Sequence, residues 1–141
     1  AADEVTDGDN AWAAFKNGKY ETALQLALPR AQEGDAVAQF ILGKMHLKGR
    51  GVEKSIGEAK KWFSRAAAHQ FAYAQFELAE LHYDGVGILH DKVLAHMWYN
   101  LAGANGLKDG AKSRENIERI MSQAQIEIAE RMARSWIAIY K

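Results

Sequence analysis

Five histidines and a handful of closely spaced carboxylates are the side chains of this 141-residue sequence that could do chemistry. Imidazoles bind metals and shuttle protons near neutral pH. His46 and His82 stand 36 residues apart, on equivalent positions of two similar stretches. Helices in that relation lie roughly 8 to 10 Å apart. Zinc needs its nitrogens at about 2.0 to 2.1 Å, so both histidines read as packing residues rather than shared ligands. His69, His90 and His96 fall near helix ends or faces, have no second histidine four residues away, and read as surface or boundary residues. Glu77 and Glu80 are three apart on one helix face. Acid and base work would require a cleft and a third polar group beside them, and without these they read as a solvated acidic face. The sequence contains no cysteine, which removes thiol nucleophiles, disulfides and iron–sulfur clusters together. Gly49-Arg50-Gly51 and Gly85-Val86-Gly87 lack the lysine and the preceding strand of phosphate-binding loops. The expectation is a non-enzyme with no catalytic residue, no metal and no cofactor.

The elements that would position such residues are written twice. Residues 36–71 set against 72–107 without a gap give twelve identities, among them Ala38/Ala74, Gln39/Gln75, Phe40/Phe76, Gly49/Gly85, Gly51/Gly87 and Trp62/Trp98. A strict period of this length marks stacked units, none of which buries its apolar face alone. Inside each unit the apolar residues recur at three and four, as in Phe40, Leu42, Met45, Leu47 and again Ala59, Trp62, Phe63, Ala66, which is helical spacing. The paired glycines between these runs can take the positive φ that ends one helix and turns the chain. Ser55 with Glu58, and Asp91, are placed to open the second helix of each unit.

The flanks follow the same plan. Residues 9–17 and 19–33 predict a helix pair broken at Asn17-Gly18, with Pro29 expected to kink the second helix or start a new one. Residues 109–121 predict a seventh helix, and Ser122 with Gln125 caps an eighth running through Trp136. Its stripe of Ile126, Ala129, Met132, Ala133 and Trp136 is expected to pack onto Ile117 and Ile120 as a cap. The fold class is therefore all-α, an α-solenoid of about four antiparallel helix pairs. It forms one repeat domain over 1–141, with a degenerate leading pair at about 9–35, repeats at 36–71 and 72–107, and a capping pair at 108–141.

Lys plus Arg balance Asp plus Glu at 18 each, so the positive excess of a nucleic-acid binder is missing. No apolar run reaches the roughly 18 residues of a membrane span, so no membrane insertion is expected. The start at Ala1-Ala2-Asp3 suits a chain cut behind small residues, which predicts a periplasmic or secreted protein, or a cytoplasmic one if residue 1 is merely a trimmed boundary.

"AVAQFILGKMHLKGRGV…GEAKKWFSRAAAHQ" and "AYAQFELAELHYDGVGI…VLAHMWYNLAGANG" resemble Sel-1-like repeats, relatives of tetratricopeptide repeats with a Gly-x-Gly turn. "FKNGKYETALQLALPRAQEGDA" is similar to a degenerate leading unit, and "IERIMSQAQIEIAERMARSWI" to the family's closing helices. The departures are small: Val86 at the variable turn position, Glu53 for a frequent Pro, and His46 and His82 where Tyr is usual. The resemblance implies a bacterial scaffold or adaptor that binds a protein or peptide on its concave face; the sequence leaves the oligomeric state open, with a monomer favoured. The first helix of each pair lines that face. Carried onto this chain, its positions are Trp12, Phe15 and Lys16, then Val37, Phe40, Lys44, Leu47 and Lys48, then Tyr73, Phe76, Glu80, Tyr83 and Asp84. Trp62 and Trp98 sit on outer helices at inward spacing and read as core. Two alternatives stay open: a cell-wall or β-lactam-related enzyme, though the relatives that suggest it rely on paired cysteines, and a structural spacer in a larger envelope assembly.

Overall fold

A computed structural model of the protein describes residues 7–85 and 91–141. Among them run eight helices: α1 Asp7–Lys16, α2 Tyr20–Gln32, α3 Ala36–Lys48, α4 Ile56–Ala68, α5 Ala72–Asp84, α6 Lys92–Ala104, α7 Lys108–Glu118 and α8 Gln123–Tyr140. Val86, Gly87 and His90 lie outside the described residues. The chain divides into two compact units, Ala1–Ala66 and Ala67–Lys141.

The helix boundaries follow from local chemistry. Asp35 and Asp91 accept the backbone N–H of Ala38 and Leu94 at 2.9 and 3.0 Å, each satisfying one of the orphan donors at a helix start. Ser55 accepts from the Glu58 N–H at 3.1 Å, while the Glu58 carboxylate turns to Lys61 Nζ at 3.3 Å. Ser122 and Gln125 form the full reciprocal box at the start of α8. At the other ends, Gly49 and Gly85 take φ of +66° and +67° as left-handed caps after α3 and α5. A side chain with a Cβ resists that region, so glycine at 49 and 85 is a conformational requirement.

In the first unit, α2 buries an alanine stripe, Ala23, Ala27 and Ala31, beside Ala11 and Ala14 of α1 and Ala38, Ile41, Leu42 and Met45 of α3. Pro29 lies inside α2, which neither ends nor restarts there. A helix-interior proline costs about 3 kcal/mol. The alanine stripe offsets this by anchoring the helix on both sides of Pro29, whose ring faces solvent. α3 is buried over most of its circumference, as its near-continuous apolar sequence requires. Gln39 is the polar exception: its Nε2 donates to the Ala31 carbonyl at 3.1 Å.

In the second unit, Gln75 repeats that bond to Ala67 at 3.2 Å, and Asn105 Nδ2 donates to its other end at 2.9 Å. α7 seats closely on α6 through two glycines. A Cβ on Gly110 would lie 2.8 Å from the Gly103 nitrogen and 2.9 Å from the Tyr99 carbonyl oxygen, both rigid backbone atoms. That approach brings Ile117 into a cluster with Ala79, Ala95 and Tyr99. α8 packs on α6: Ala133, Met132 and Trp136 meet Met97, Leu101, Leu94 and Trp98, with the Trp98 and Trp136 rings edge to face at 5.5 Å. The expected seat of the α8 stripe on Ile117 and Ile120 is thus corrected. Ile117 is taken up by the α5 and α6 cluster, and Ile120 is 54% exposed.

Candidate partner-binding surface

In the first unit the helices α1 and α3 carry the residues assigned to a partner surface. Trp12 is half-buried, stacks on Phe15 at 5.8 Å and leans on Phe40 at 6.1 Å. Phe15 also meets Tyr20 edge-on at 5.7 Å. Phe40 continues inward to Phe63 at 5.8 Å and is 7% exposed, so it serves the core and supports Trp12 from behind. Val37, Lys44 and Leu47 are half-buried, whereas Lys16 and Lys48 are exposed. This surface carries the stacked, half-buried rings of Trp12 and Phe15, with exposed lysines on the same two helices.

In the second unit α5 presents Tyr73 and Tyr83 at 57% and 38% exposure. Tyr73 touches the Phe71 ring at 5.8 Å. Phe76 is half-buried and packs on Tyr99 at 5.6 Å, as part of the cluster of Ala79, Ala95 and Ile117. Asp84 is exposed at the helix end, and Glu80 is half-buried one turn before it.

Glu80 has the most distinctive environment of these residues. Its carboxylate accepts the Tyr99 hydroxyl, which favours the charged form. Partial burial works the other way and more strongly, and Asp84 and Glu77 add like charge, so the carboxyl is held above its usual range. Tyr99 is pushed well above an ordinary phenol by burial first and by Glu80 second, and so remains a hydrogen-bond donor. Glu77, Glu80 and Asp84 share one face of α5 by their spacing of three and four. Sequence reasoning placed Glu80 there but missed Tyr99, which comes from the outer helix α6. Its register partner Phe63 is a plain core residue.

Beside this pair, Tyr83 of α5, Tyr99 of α6 and Ser113, Asn116, Ile117 and Ile120 from α7 and its end line a pocket of about 220 Å³. No sequence signal pointed to Ser113 or Asn116.

The histidines divide. His46 is half-buried with Nδ1 3.3 Å from the Glu53 carbonyl oxygen, and His82 is buried in α5. His69 is exposed. His96 is a correction: read as a surface or boundary residue, it has 0% exposure, with Nε2 2.7 Å from Glu118 Oε2 on α7. Among the described residues no group of three or more histidines and acids is arranged to hold a metal ion, and no helix is long and apolar enough to cross a membrane. Trp62 packs partly against the first core with the Arg65 guanidinium 4.7 Å over its ring.

The family model described as Sel1 repeat matches residues 36–71 and 72–107, the two units read from the internal identities. Among solved structures, the chain is similar to c5321, a protective antigen present in uropathogenic Escherichia coli strains and displaying an SLR fold. The TM-score is 0.88 at 28% identity, over 95% of this chain and 30% of that one. It is also similar to a Sel1 repeat protein from Oxalobacter formigenes, with a TM-score of 0.72 at 29% identity, over 77% of this chain and 43% of that one. The chain therefore spans less than half the length of either. A comparison with curated proteins gave no match. With all eight helices in the expected order and both repeats matched, this chain belongs to the Sel1 repeat family.

Proposed function

We propose that the protein is a non-catalytic interaction module that holds a segment of a partner protein along the first helices of its pairs, on the concave face expected of such repeats. The observation that carries this reading is the exposure of Tyr73 and Tyr83 on α5, at 57% and 38%. Tyrosines bury large area at small entropic cost and are enriched where proteins meet. Membership of a repeat family whose units stack into extended surfaces supports it. Trp12, Phe15 and Lys16, with Lys44, Leu47 and Lys48 and with Phe40 as support, are the candidate contacts of the first unit, and Phe76, Glu80 and Asp84 are further candidates of the second.

The test is capture of a partner from the native cell by the full chain and by a Tyr73→Ala/Tyr83→Ala variant, with thermal melts of both. Tyr73 is 57% and Tyr83 38% exposed, so the variant should still fold and melt cooperatively while the captured partner is lost. Full retention of every partner by a folded double variant would sink the assignment.

A further inference from the structure

We propose that the end of the first unit where α1 and α3 terminate docks an acidic segment of the partner protein, with carboxylates placed around an apolar side chain. This rests on the interaction-module reading and names the chemistry of the segment held there.

The two helices finish side by side. The turn after α3 comes so close to the start of α2 that a Cβ on Gly51 would lie 2.8 Å from the Tyr20 Cβ, and the Arg50 guanidinium stands 5.8 Å over the Tyr20 ring. The same turn folds back on α3: the Ser55 N–H donates to the His46 carbonyl oxygen at 2.9 Å, and a Cβ on Gly49 would lie 3.0 Å from that of Lys54. Five exposed cations are thereby gathered on two helix ends and their turns, namely Lys16, Lys19, Lys48, Arg50 and Lys54. Glu21 and Glu53 are the exposed acids on the same stretches. Among the described residues no ion pair joins any of the five cations to a carboxylate.

Basic residues at a helix C-terminus can serve only to complement the helix dipole. The second repeat shows that this helix end does not need them. α5 closes on the same left-handed glycine, with φ of +67° at Gly85 against +66° at Gly49. Yet Asp84 stands at the position of Lys48, and the sequence has Val86 at that of Arg50. The helix ends the same way with either charge, so the positive excess of the first unit points to something outside it.

What lies beside the cations selects the partner. Phe15, next to Lys16, stacks on Trp12 at 5.8 Å and meets Tyr20 edge-on at 5.7 Å, so half-buried aromatic surface adjoins the charge. Among the described residues none of the exposed large apolar side chains belongs to this unit, which leaves a lipid surface nothing to take up. Rings stacked on each other are poor platforms for bases, and the chain carries no net positive charge. A protein segment fits both features: its acids are steered to the lysines, and its apolar side chain covers Trp12 and Phe15.

The experiment is a chemical-shift titration of the full chain with three short blocked peptides, each a central leucine flanked on both sides by glutamates, by glutamines or by lysines. The glutamate peptide should give saturable shifts clustered at Phe15, Lys16, Lys19, Lys48, Arg50 and Lys54, weakened by added salt. The glutamine peptide should bind more weakly and the lysine peptide should give no shifts there. Lys48→Glu/Lys54→Glu, at two exposed positions, should weaken binding of the glutamate peptide on the order of tenfold. Lys108→Glu/Lys112→Glu makes the same change in net charge at exposed positions of α7 and should leave that binding unchanged. Absent or scattered shifts, equal binding of the glutamine peptide, or equal affinities in the two variants overturns the proposal. So does tighter binding of a thymidine single strand or of phosphatidylserine vesicles than of the glutamate peptide. The interaction-module reading is judged separately by the Tyr73→Ala/Tyr83→Ala variant, because both tyrosines belong to α5 of the second unit.

Discussion

Glu80 and His96 show how differently two ionisable residues in neighbouring helices can be read from a sequence. The acidic face of α5 was legible, because Glu77, Glu80 and Asp84 follow helical spacing. Its coupling to Tyr99 was not, since that contact depends on how α6 lies across α5. His96, read as a surface or boundary residue, is buried, whereas its register partner in the first repeat, Lys60, is exposed. α5, α7 and α8 all pack on α6, so the same helix face that is wet in α4 is dry in α6. Two outcomes follow. A carboxyl raised by folding binds its proton more tightly in the native state, so stability falls as pH rises above the ordinary carboxylate range near 4.5. Glu80→Gln keeps an acceptor for Tyr99 and removes that penalty. Urea unfolding should find it at least as stable as the parent at pH 7, with the difference shrinking toward pH 4; a larger gain at pH 4 than at pH 7 would contradict the assignment. Glu118→Ala strands the buried His96 Nε2 and should cost about 1 to 3 kcal/mol by the same method.

At the scale of elements, caps and turns were the most readable features. Asp91 and the Ser122/Gln125 box act over three residues of sequence, so tertiary structure had little room to override them. Gly49→Val should lower stability by roughly 1 to 2 kcal/mol or more, because a β-branched residue resists φ of +66° and the added Cβ would lie 3.0 Å from that of Lys54. An unchanged melting temperature would mean that the turn relaxes. What could not be read was partner choice between helices. Pro29 stayed inside a helix because the packed alanine stripe outweighed its local cost, and α8 chose α6 over the end of α7. Deleting residues 122–141 would bare Met97, Leu101 and the Trp98 ring. The shortened chain should aggregate or melt without a cooperative transition. A soluble, monomeric, cooperatively folded product would show that α8 is an appendage rather than a cover.

For the molecule as a whole, the doubled motif revealed the architecture because each repeat restates the same burial problem and its solution. Function was less legible. Among the residues assigned to a partner surface, Tyr73 and Tyr83 face solvent while Phe40 is drawn into the core, although Phe40 and Phe76 belong to the identical part of the repeat. Periodicity says which helix face a residue occupies, but how deeply it sinks depends on the neighbours stacked against it. A photo-crosslinking amino acid placed singly at Tyr73 and Tyr83 of α5, and at the exposed Lys60 and Lys61 of the outer helix α4, tests the central claim most directly. In the native cell, both tyrosine positions should trap the same protein species and the α4 positions should not. Trapping of that species equally well from Lys60 and Lys61, or of nothing from either tyrosine position, would contradict a partner held along the first helices.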